Sequence, residues 1–307
     1  LNMKQRRYTA KAKSRSASSK GRLVTVNEDT TLLPFLFELL KEQSKSSVKS
    51  ILANRQISVN GRTTTQFDTP LRSGDEVRIS FQRGREDFRH PMLRLVWEDD
   101  SLIVVDKRNG LLSMATDKIK EKTAYHLLSD YVKKLDPANK IFILHRLDRD
   151  TSGLMMFAKT RKAQQILQSN WNEMITERSY VAVVEGKPAK EMDLLTSFLV
   201  ENSAMKVYVS TQGDGQEAIT RYKVLKSTNQ YSLLQLDLET GRKNQIRAQL
   251  ESIGHPIAGD VKYGAASNPA GRLVLHARKL CFIHPETGEE LRFETAIPSI
   301  FNAIVKQ

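Results

Sequence analysis

Residues 141–158 read Ile-Phe-Ile-Leu-His-Arg-Leu-Asp-Arg-Asp-Thr-Ser-Gly-Leu-Met-Met-Phe-Ala, with a polar segment at 145–153 between two apolar runs. Short apolar runs bounded by turn residues are typical of buried strands. We therefore expect the polar segment to form a loop between two core strands, which is a rigid place for a reactive group. From composition alone, the same segment also fits a simple turn whose aspartates and serine bond to nearby backbone groups.

The segments on either side of this loop predict more strands than helices. Two helices are expected, one over 123–134 and one capped by Thr160. Strands are expected at the segments LIVVDK, YVAVVEG, RYKVLKS and YSLLQLDLET, and the last third of the chain is read mainly as strands and turns. Because these strands do not alternate regularly with helices, the pattern predicts an α+β fold with a mixed, largely antiparallel sheet.

The amino-terminal part of the chain has a different pattern. Two short helices are expected, the second capped by Ser46 or Ser47, followed by a hairpin that turns at Asn60-Gly61. A charged segment at 83–91 with glycine and proline has no periodicity and is interpreted as a linker. The predicted organisation is therefore a disordered basic tail at 1–25, a small α/β module at 26–82, the linker, and a catalytic domain at 92–307.

The charge and residue composition indicate which classes of partner this protein can bind. The 307 residues have a formal net charge of +13, and residues 1–25 contain eight basic residues and no acidic one. Such a tail suits a polyanionic partner, although it also fits a solubilising segment or an organellar transit peptide. The single cysteine, Cys281, excludes an intrachain disulfide, and we expect no membrane span because every apolar run is short.

The segment HRLDRDTSG at 145–153 resembles the active-site motif of the RluA family of pseudouridine synthases. The blocks RSYVAVVEG, TGRKNQIRAQL, GHPIAGDVKYG and RLVLHARKLCFIHP match further blocks of that family in the same order. The resemblance implies that Asp148 is the catalytic carboxylate, that Tyr180 is the active-site tyrosine and that Arg247 is the basic partner of the aspartate. One departure is Asn244, where the family usually has histidine.

The amino-terminal module resembles the S-four-like RNA-binding module, named after a ribosomal protein. The resemblance rests on the segments ISVNGR and LRSGDEVRI at the spacing of that family. It implies that Lys45, Lys49 and Arg55 bind structured RNA. Together the two resemblances predict an isomerase that acts on structured RNA, most simply large-subunit ribosomal RNA, with transfer RNA left open.

The reaction of this family constrains the rest of the site. Arg146, two residues before the aspartate, is expected to contact a phosphate or fill the position that a flipped uridine vacates. The six histidines show no zinc spacing and no phosphate loop is present, so we predict no metal and no organic cofactor. A cytoplasmic monomer is the expected form, with organellar targeting left open.

Two other classes of function remain open at this point. One is a non-catalytic RNA-binding or ribosome-assembly factor that retains the fold. The other is a carboxylate-based glycosidase, which would require a second carboxylate in the cleft. The product separates the three, because a glycosidase releases uracil, an isomerase keeps it attached, and a pure binder does neither.

Overall fold

The computed structural model describes residues 22–53, 56–80, 88–115 and 122–306. These residues fall into two compact units, one containing residues up to 88 together with 131–139, and one containing 89–130 and 140–306. Within the described ranges, no helix has the length and apolar character that crossing a membrane requires.

The amino-terminal unit contains a small antiparallel sheet and two short helices. Its elements are β1 Arg22–Thr25, β2 Thr30–Thr31, α1 Leu32–Leu39, α2 Lys45–Ala53, β3 Ile57–Val59, β4 Arg62–Thr63, β5 Pro70–Leu71 and β6 Glu76–Ile79. The sheet has the order β1-β6-β3-β4, and β2 pairs with β5. Asn60 and Gly61 both have positive φ, 49° and 78°, which confirms the predicted tight turn between β3 and β4.

Two details of this unit differ from the sequence prediction. The strand β1 lies inside the predicted tail and pairs with β6 along its whole length, so the ordered module begins before residue 26. The cap of α2 is Ser44, whose hydroxyl accepts a hydrogen bond from the amide of Ser47 at 3.2 Å, and not Ser46 or Ser47. The predictions for residues 1–21 and for most of the linker fall outside the described residues.

The larger unit is built on one extended sheet. Its elements are β7 Leu93–Glu98, β8 Leu102–Lys107, the first part of α3 Ala124–Leu135, whose residues from 131 onward belong to the amino-terminal unit, β9 Phe142–Ile143, β10 Ser152–Ala158, α4 Arg161–Ser169, α5 Trp171–Met174, β11 Ile175–Glu185, β12 Met192–Glu201, β13 Val207–Val209, β14 Gln216–Ser227, β15 Tyr231–Leu238, α6 Gln245–Ser252, β16 Leu275–Ile283, β17 Glu290–Glu294 and α7 Ser299–Ile304. A single 3-10 turn, Val261–Tyr263, follows α6.

The strand order of this sheet confirms the predicted fold class. Along the main path it is β13-β12-β14-β15-β11-β16-β10-β8-β7, with β9 paired to β10 and β17 paired to β16. Of the pairings between these strands only β10 with β16 is parallel. Helices α6 and α7 pack with β11 and β15 in one apolar core, and α4 packs with β8 and β10 in another. The sequence prediction missed α6 and α7.

The strands around residues 144–151 fix the loop between them. On its carboxyl side β10 is buried along its whole length, whereas β9 on its amino side is only two residues long and half-buried. Gly153 has φ +120°, and a Cβ there would lie 2.1 Å from the carbonyl oxygen of Ala277 on β16. Only glycine permits this approach, so the end of the loop is pressed against the parallel strand.

Candidate active site

An open cleft of about 850 Å³ lies beside the loop at 144–151. Its walls are formed by residues 112–115, by residues 143–149, by the loop 238–244 that joins β15 to α6, and by side chains from α4, α5 and β11. Asp148 and Tyr180, which the sequence placed 32 positions apart, both line this cleft. A cleft of this volume with convergent polar groups is a typical ligand site.

Asp148 is held from one side by Arg247 of α6. The guanidinium Nη1 donates to Asp148 Oδ2 at 3.2 Å. The other edge of the same guanidinium forms a bidentate pair with Asp260, through Nε at 2.7 Å and Nη2 at 2.8 Å. Asp260 is almost fully buried, with 1% of its side chain exposed, so it fixes the arginine firmly in place.

Arg247 remains a cation in this environment. Burial alone would lower its pKa, but the hydrogen bonds and charges of Asp260 and Asp148 outweigh that effect and raise the pKa above its usual range. The guanidinium also lies 4.7 Å over the ring of Tyr263, which is fully buried. The arginine therefore presents a permanent positive charge to Asp148 from a rigid support.

Asn244 contacts Asp148 from a second direction. With its amide nitrogen toward the carboxylate, it donates to Oδ2 at 2.8 Å and to Oδ1 at 3.1 Å, and its oxygen accepts from the Tyr263 hydroxyl at 3.1 Å. Its backbone is left-handed, φ 51° and ψ 21°, where asparagine is better tolerated than most residues. Asp148 is thus supplied with donors from both a cation and a neutral amide.

Lys107 stabilises the loop that carries Asp148 through hydrogen bonds to backbone carbonyls. Its side chain is fully buried, and Nζ donates to the carbonyl oxygens of Arg108 at 3.1 Å, Leu111 at 2.8 Å and Arg149 at 3.0 Å. Burial lowers the pKa of Lys107 to about 7, although the charges of Asp150 and Asp148 oppose that change. The lysine therefore holds the carbonyl of Arg149, the residue that follows Asp148.

Tyr180 and His145 are both neutral groups at the cleft. Burial raises the pKa of Tyr180, so its hydroxyl keeps its proton. Burial and the nearby charge of Arg178 lower the pKa of His145 to about 3, and its Nε2 accepts a hydrogen bond from the amide of Met156 at 3.1 Å. Tyr180 offers a flat face and a hydroxyl to a ligand, whereas His145 is committed to the backbone of β10.

The other residues singled out from the sequence have different locations. Arg146 is exposed and lines the cleft, where its Nη1 lies 3.9 Å from the sulfur of Met114. Lys45 and Lys49 are exposed and one turn apart on α2, so they share a face in the amino-terminal unit. Arg55 lies outside the described residues.

Several residues of this site were missed by sequence reasoning. Asp260, Tyr263 and Lys107 had no assigned role, and Asn244 was noted only as a departure. A signal existed for two of them, because the block GHPIAGDVKYG contains Asp260 and Tyr263 in an otherwise apolar and glycine-rich context. The contacts of Asn244 with Asp148 and of Lys107 with Arg149 join residues far apart along the chain, and no local pattern reveals them. Among the described side chains, no three of the histidine, cysteine, aspartate and glutamate residues cluster in a way that could hold a metal ion.

Comparison with known proteins identifies relatives over most of the chain. The model of the RNA pseudouridylate synthase family matches residues 101–252. An RNA pseudouridine synthase of Bacillus subtilis, YhcT, is 31% identical over 86% of this chain and 90% of its own length. Ribosomal large subunit pseudouridine synthase D of Nitrosomonas europaea is 30% identical over 98% of this chain and 93% of its own length. The enzyme of the same name from Neisseria meningitidis serogroup A is 33% identical over 86% of this chain and 74% of its length.

Solved structures support the same fold. Human RNA pseudouridylate synthase domain containing 4 is similar with a TM-score of 0.55 and 24% identity, over 68% of this chain and 90% of that chain. At this level of identity the likeness concerns the fold.

Proposed function

Because this chain belongs to the RNA pseudouridine synthase family, in its RluA branch, we propose that it isomerises specific uridines of large-subunit ribosomal RNA with Asp148 as the catalytic carboxylate. The substrate is a uridine within folded RNA, and the product keeps the same atoms. The bond from the ribose to uracil nitrogen 1 breaks, the base turns, and a bond to carbon 5 forms. No redox change and no energy source are required.

The observation that carries the proposal is the environment of Asp148. A carboxylate that attacks the base or the sugar, or removes a ribose proton, must be ionised and must be held in a fixed position. Arg247 and Asn244 donate three hydrogen bonds to the oxygens of Asp148, and Lys107 holds the carbonyl of the next residue, Arg149. These contacts support a preorganised nucleophile or base.

Tyr180 supports the binding of a flipped base. A uridine must leave its stack to enter the cleft, at a cost of a few kcal/mol that is smaller in loops and bulges. Stacking of a base on an aromatic ring recovers roughly 1–3 kcal/mol. We propose that the uracil packs against Tyr180 with Asp148 near the reacting atoms, and that the exposed Arg146 contacts the phosphate or fills the vacated position.

The choice of ribosomal RNA rests on the names of relatives. Five of the relatives that cover most of this chain are named ribosomal large subunit pseudouridine synthase D. We propose that the amino-terminal module, through Lys45, Lys49 and Arg55, recruits that RNA, and that the enzyme acts in the cytoplasm as a monomer. If so, deletion of residues 1–21, which leaves strand β1 in place, should flatten the fall of RNA affinity with salt.

The test maps pseudouridines in ribosomal and transfer RNA from cells that lack this protein. Complementation uses the wild type, Asp148→Asn, and Asp150→Asn as the matched control. Asp150 is two residues away, is about half exposed and pairs with Arg149 at 3.2 Å, so its loss removes a carboxylate without touching the proposed catalyst. We expect pseudouridines of large-subunit RNA to disappear in the deletion and to return with the wild type and with Asp150→Asn only.

Other outcomes would contradict distinct parts of the proposal. Full restoration by Asp148→Asn would mean that this aspartate is not the catalyst. Loss of pseudouridine only from transfer RNA would agree with the proposed reaction but contradict the proposed substrate, large-subunit ribosomal RNA. An unchanged pseudouridine map in the deletion would favour a role in ribosome assembly.

A further inference from the structure

Arg178 is a cation in the cleft that the proposed reaction does not use. It lies on β11 two residues before Tyr180, so both side chains are on the same face of that strand. It lines the cleft and is only partly exposed, and its side chain has neither a hydrogen bond nor an ion pair with any residue in the part of the chain that the structure describes. Its five N–H donors are therefore available to a ligand.

The other basic residues of the cleft differ from Arg178. Arg149 pairs with Asp150, Lys243 pairs with Glu201, and Arg242 Nε donates to a backbone carbonyl at 3.0 Å. Each of these three is exposed. Arg178, in contrast, is partly buried and therefore partly shielded from water, and it has no acidic partner among the described side chains. This burial lowers the pKa of its guanidinium.

The position of the Arg178 guanidinium is set by contacts that carry no negative charge. It lies 5.8 Å over the ring of Trp171. On another side it touches the backbone of Gly241, where an added Cβ would come within 2.6 Å of Nη1. The backbone of Gly241 does not have a positive φ, so alanine is compatible with its conformation and the added Cβ would displace only the guanidinium. The fork of donors is thus held in place before any ligand arrives.

An anion that enters an RNA-binding cleft is a phosphodiester. A guanidinium matches two phosphate oxygens with two parallel N–H donors, and such contacts are stronger when water is excluded. We propose that Arg178, held by Trp171 and Gly241, forms a subsite for a phosphate of the RNA backbone next to the uridine that packs on Tyr180. This inference rests on the proposed function for the identity of the ligand, and on the geometry for the place where it binds.

The experiment measures binding and does not depend on turnover. The probe is an RNA hairpin with one uridine in its loop, made with natural phosphates and in versions where one loop phosphate at a time is replaced by an uncharged methylphosphonate. Dissociation constants are measured by fluorescence anisotropy over a range of salt. The proteins are the full-length wild type, Arg178→Gln, Gly241→Ala, and Lys187→Gln as a control that removes an exposed charge outside the cleft.

We expect a specific coupling between one phosphate and Arg178. Arg178→Gln should weaken binding by about 10- to 100-fold, as for loss of a charged hydrogen bond, and should lower the slope of log affinity against log salt by about 1. One methylphosphonate should weaken the wild type by a similar factor and leave Arg178→Gln unchanged. Gly241→Ala keeps the charge but displaces the guanidinium, so it should reproduce most of the effect. Lys187→Gln should behave as the wild type toward every probe.

Two results would overturn the inference. If each methylphosphonate weakens the wild type and Arg178→Gln by the same factor, Arg178 does not bind a phosphate. If replacement of the uridine by an abasic residue weakens binding of the wild type and leaves binding of Arg178→Gln unchanged, Arg178 stacks on a base. Should Arg178→Gln fail to fold, Gly241→Ala alone decides, because the Cβ meets only the end of a flexible side chain. Failure of Asp148→Asn to abolish pseudouridine formation would leave this binding result intact, so the two proposals fail separately.

Discussion

The stability of the larger unit should depend on pH through Lys107, and substitution by methionine should remove that dependence. The side chain is fully buried and its ammonium is surrounded by carbonyl oxygens. Burial lowers its pKa from 10.5 to about 7. Between those two values the unfolded chain binds the proton and the folded chain does not, so stability rises with pH across this window and is lowest below pH 7.

The size of the effect follows from that window. Each pH unit between about 7 and 10.5 contributes about 1.4 kcal/mol, so the contribution of Lys107 to the free energy of unfolding should rise by about 3 kcal/mol from pH 6 to pH 9. Lys107→Met has no proton to release. The difference in free energy of unfolding between wild type and variant should therefore change by that amount, while the effects of all other groups cancel.

Urea unfolding at the two pH values measures this difference. Both tryptophans of the protein, Trp97 and Trp171, lie in the larger unit, so their fluorescence reports that unit. Lys187→Met, which changes an exposed lysine of the same unit, is the matched control and should show no such dependence. If the difference between wild type and Lys107→Met is the same at pH 6 and pH 9, the ammonium is not desolvated and the reasoning is wrong.

Substitutions at three further positions test the support of the candidate site. Gly153→Ala should lower the free energy of unfolding by about 3 kcal/mol, because the new methyl group meets the backbone of Ala277; an unchanged melting temperature would contradict this. Asp260→Asn should cost about 3–5 kcal/mol and slow single-turnover isomerisation, since Arg247 loses its buried partner; a wild-type rate would show that this pair is only structural. Asn244→Ala should slow the same reaction by about tenfold, whereas Asn244→His, which restores the usual family residue, should retain most of the rate; equal rates for both variants would remove the proposed role of the side chain.

The fold class and the local turns could be predicted because their signals are local. Apolar runs gave the strands β8, β10 and β15, and the Asn60-Gly61 pair gave the hairpin of the amino-terminal unit. Such patterns report burial and backbone conformation at the residues themselves. The resemblance of 145–153 then connected one of these loops to a family.

Helix α6 was missed because its buried face is partly polar. Gln245 and Gln249 are both buried, with 3% and 1% exposure, and would ordinarily indicate a solvated segment. They are accommodated by the sheet, where Gln249 donates to the carbonyls of Leu195 and Ala218 and accepts from Thr220 at 2.6 Å. A hydrogen-bonded polar side chain can be buried at little cost. The partners of Gln249 are more than 25 residues away, so they leave no periodic signal in the sequence of the helix.

The candidate site was predictable only in part for the same reason. The sequence supplied Asp148, Tyr180 and Arg247 through family motifs, which carry information that periodicity does not. It could not supply the contact of Arg247 with Asp260, since nothing in the chain near either residue shows that the two meet. Pairing of charged residues is a property of the folded chain and must be read from it.

The parallel contact between β10 and β16 has a consequence for the order in which the enzyme becomes competent. Gly153 and Ala277 are separated by more than 120 positions, and most other strand pairs of the sheet join segments much closer in sequence. Contacts of such long range form late, because the chain between them must first be ordered. During synthesis, the amino-terminal module, which we propose recruits RNA, can therefore fold while the loop with Asp148 still lacks the strand against which it is pressed. We expect recruitment to precede catalytic competence on the nascent chain, with the emergence of β16 as the step that separates them.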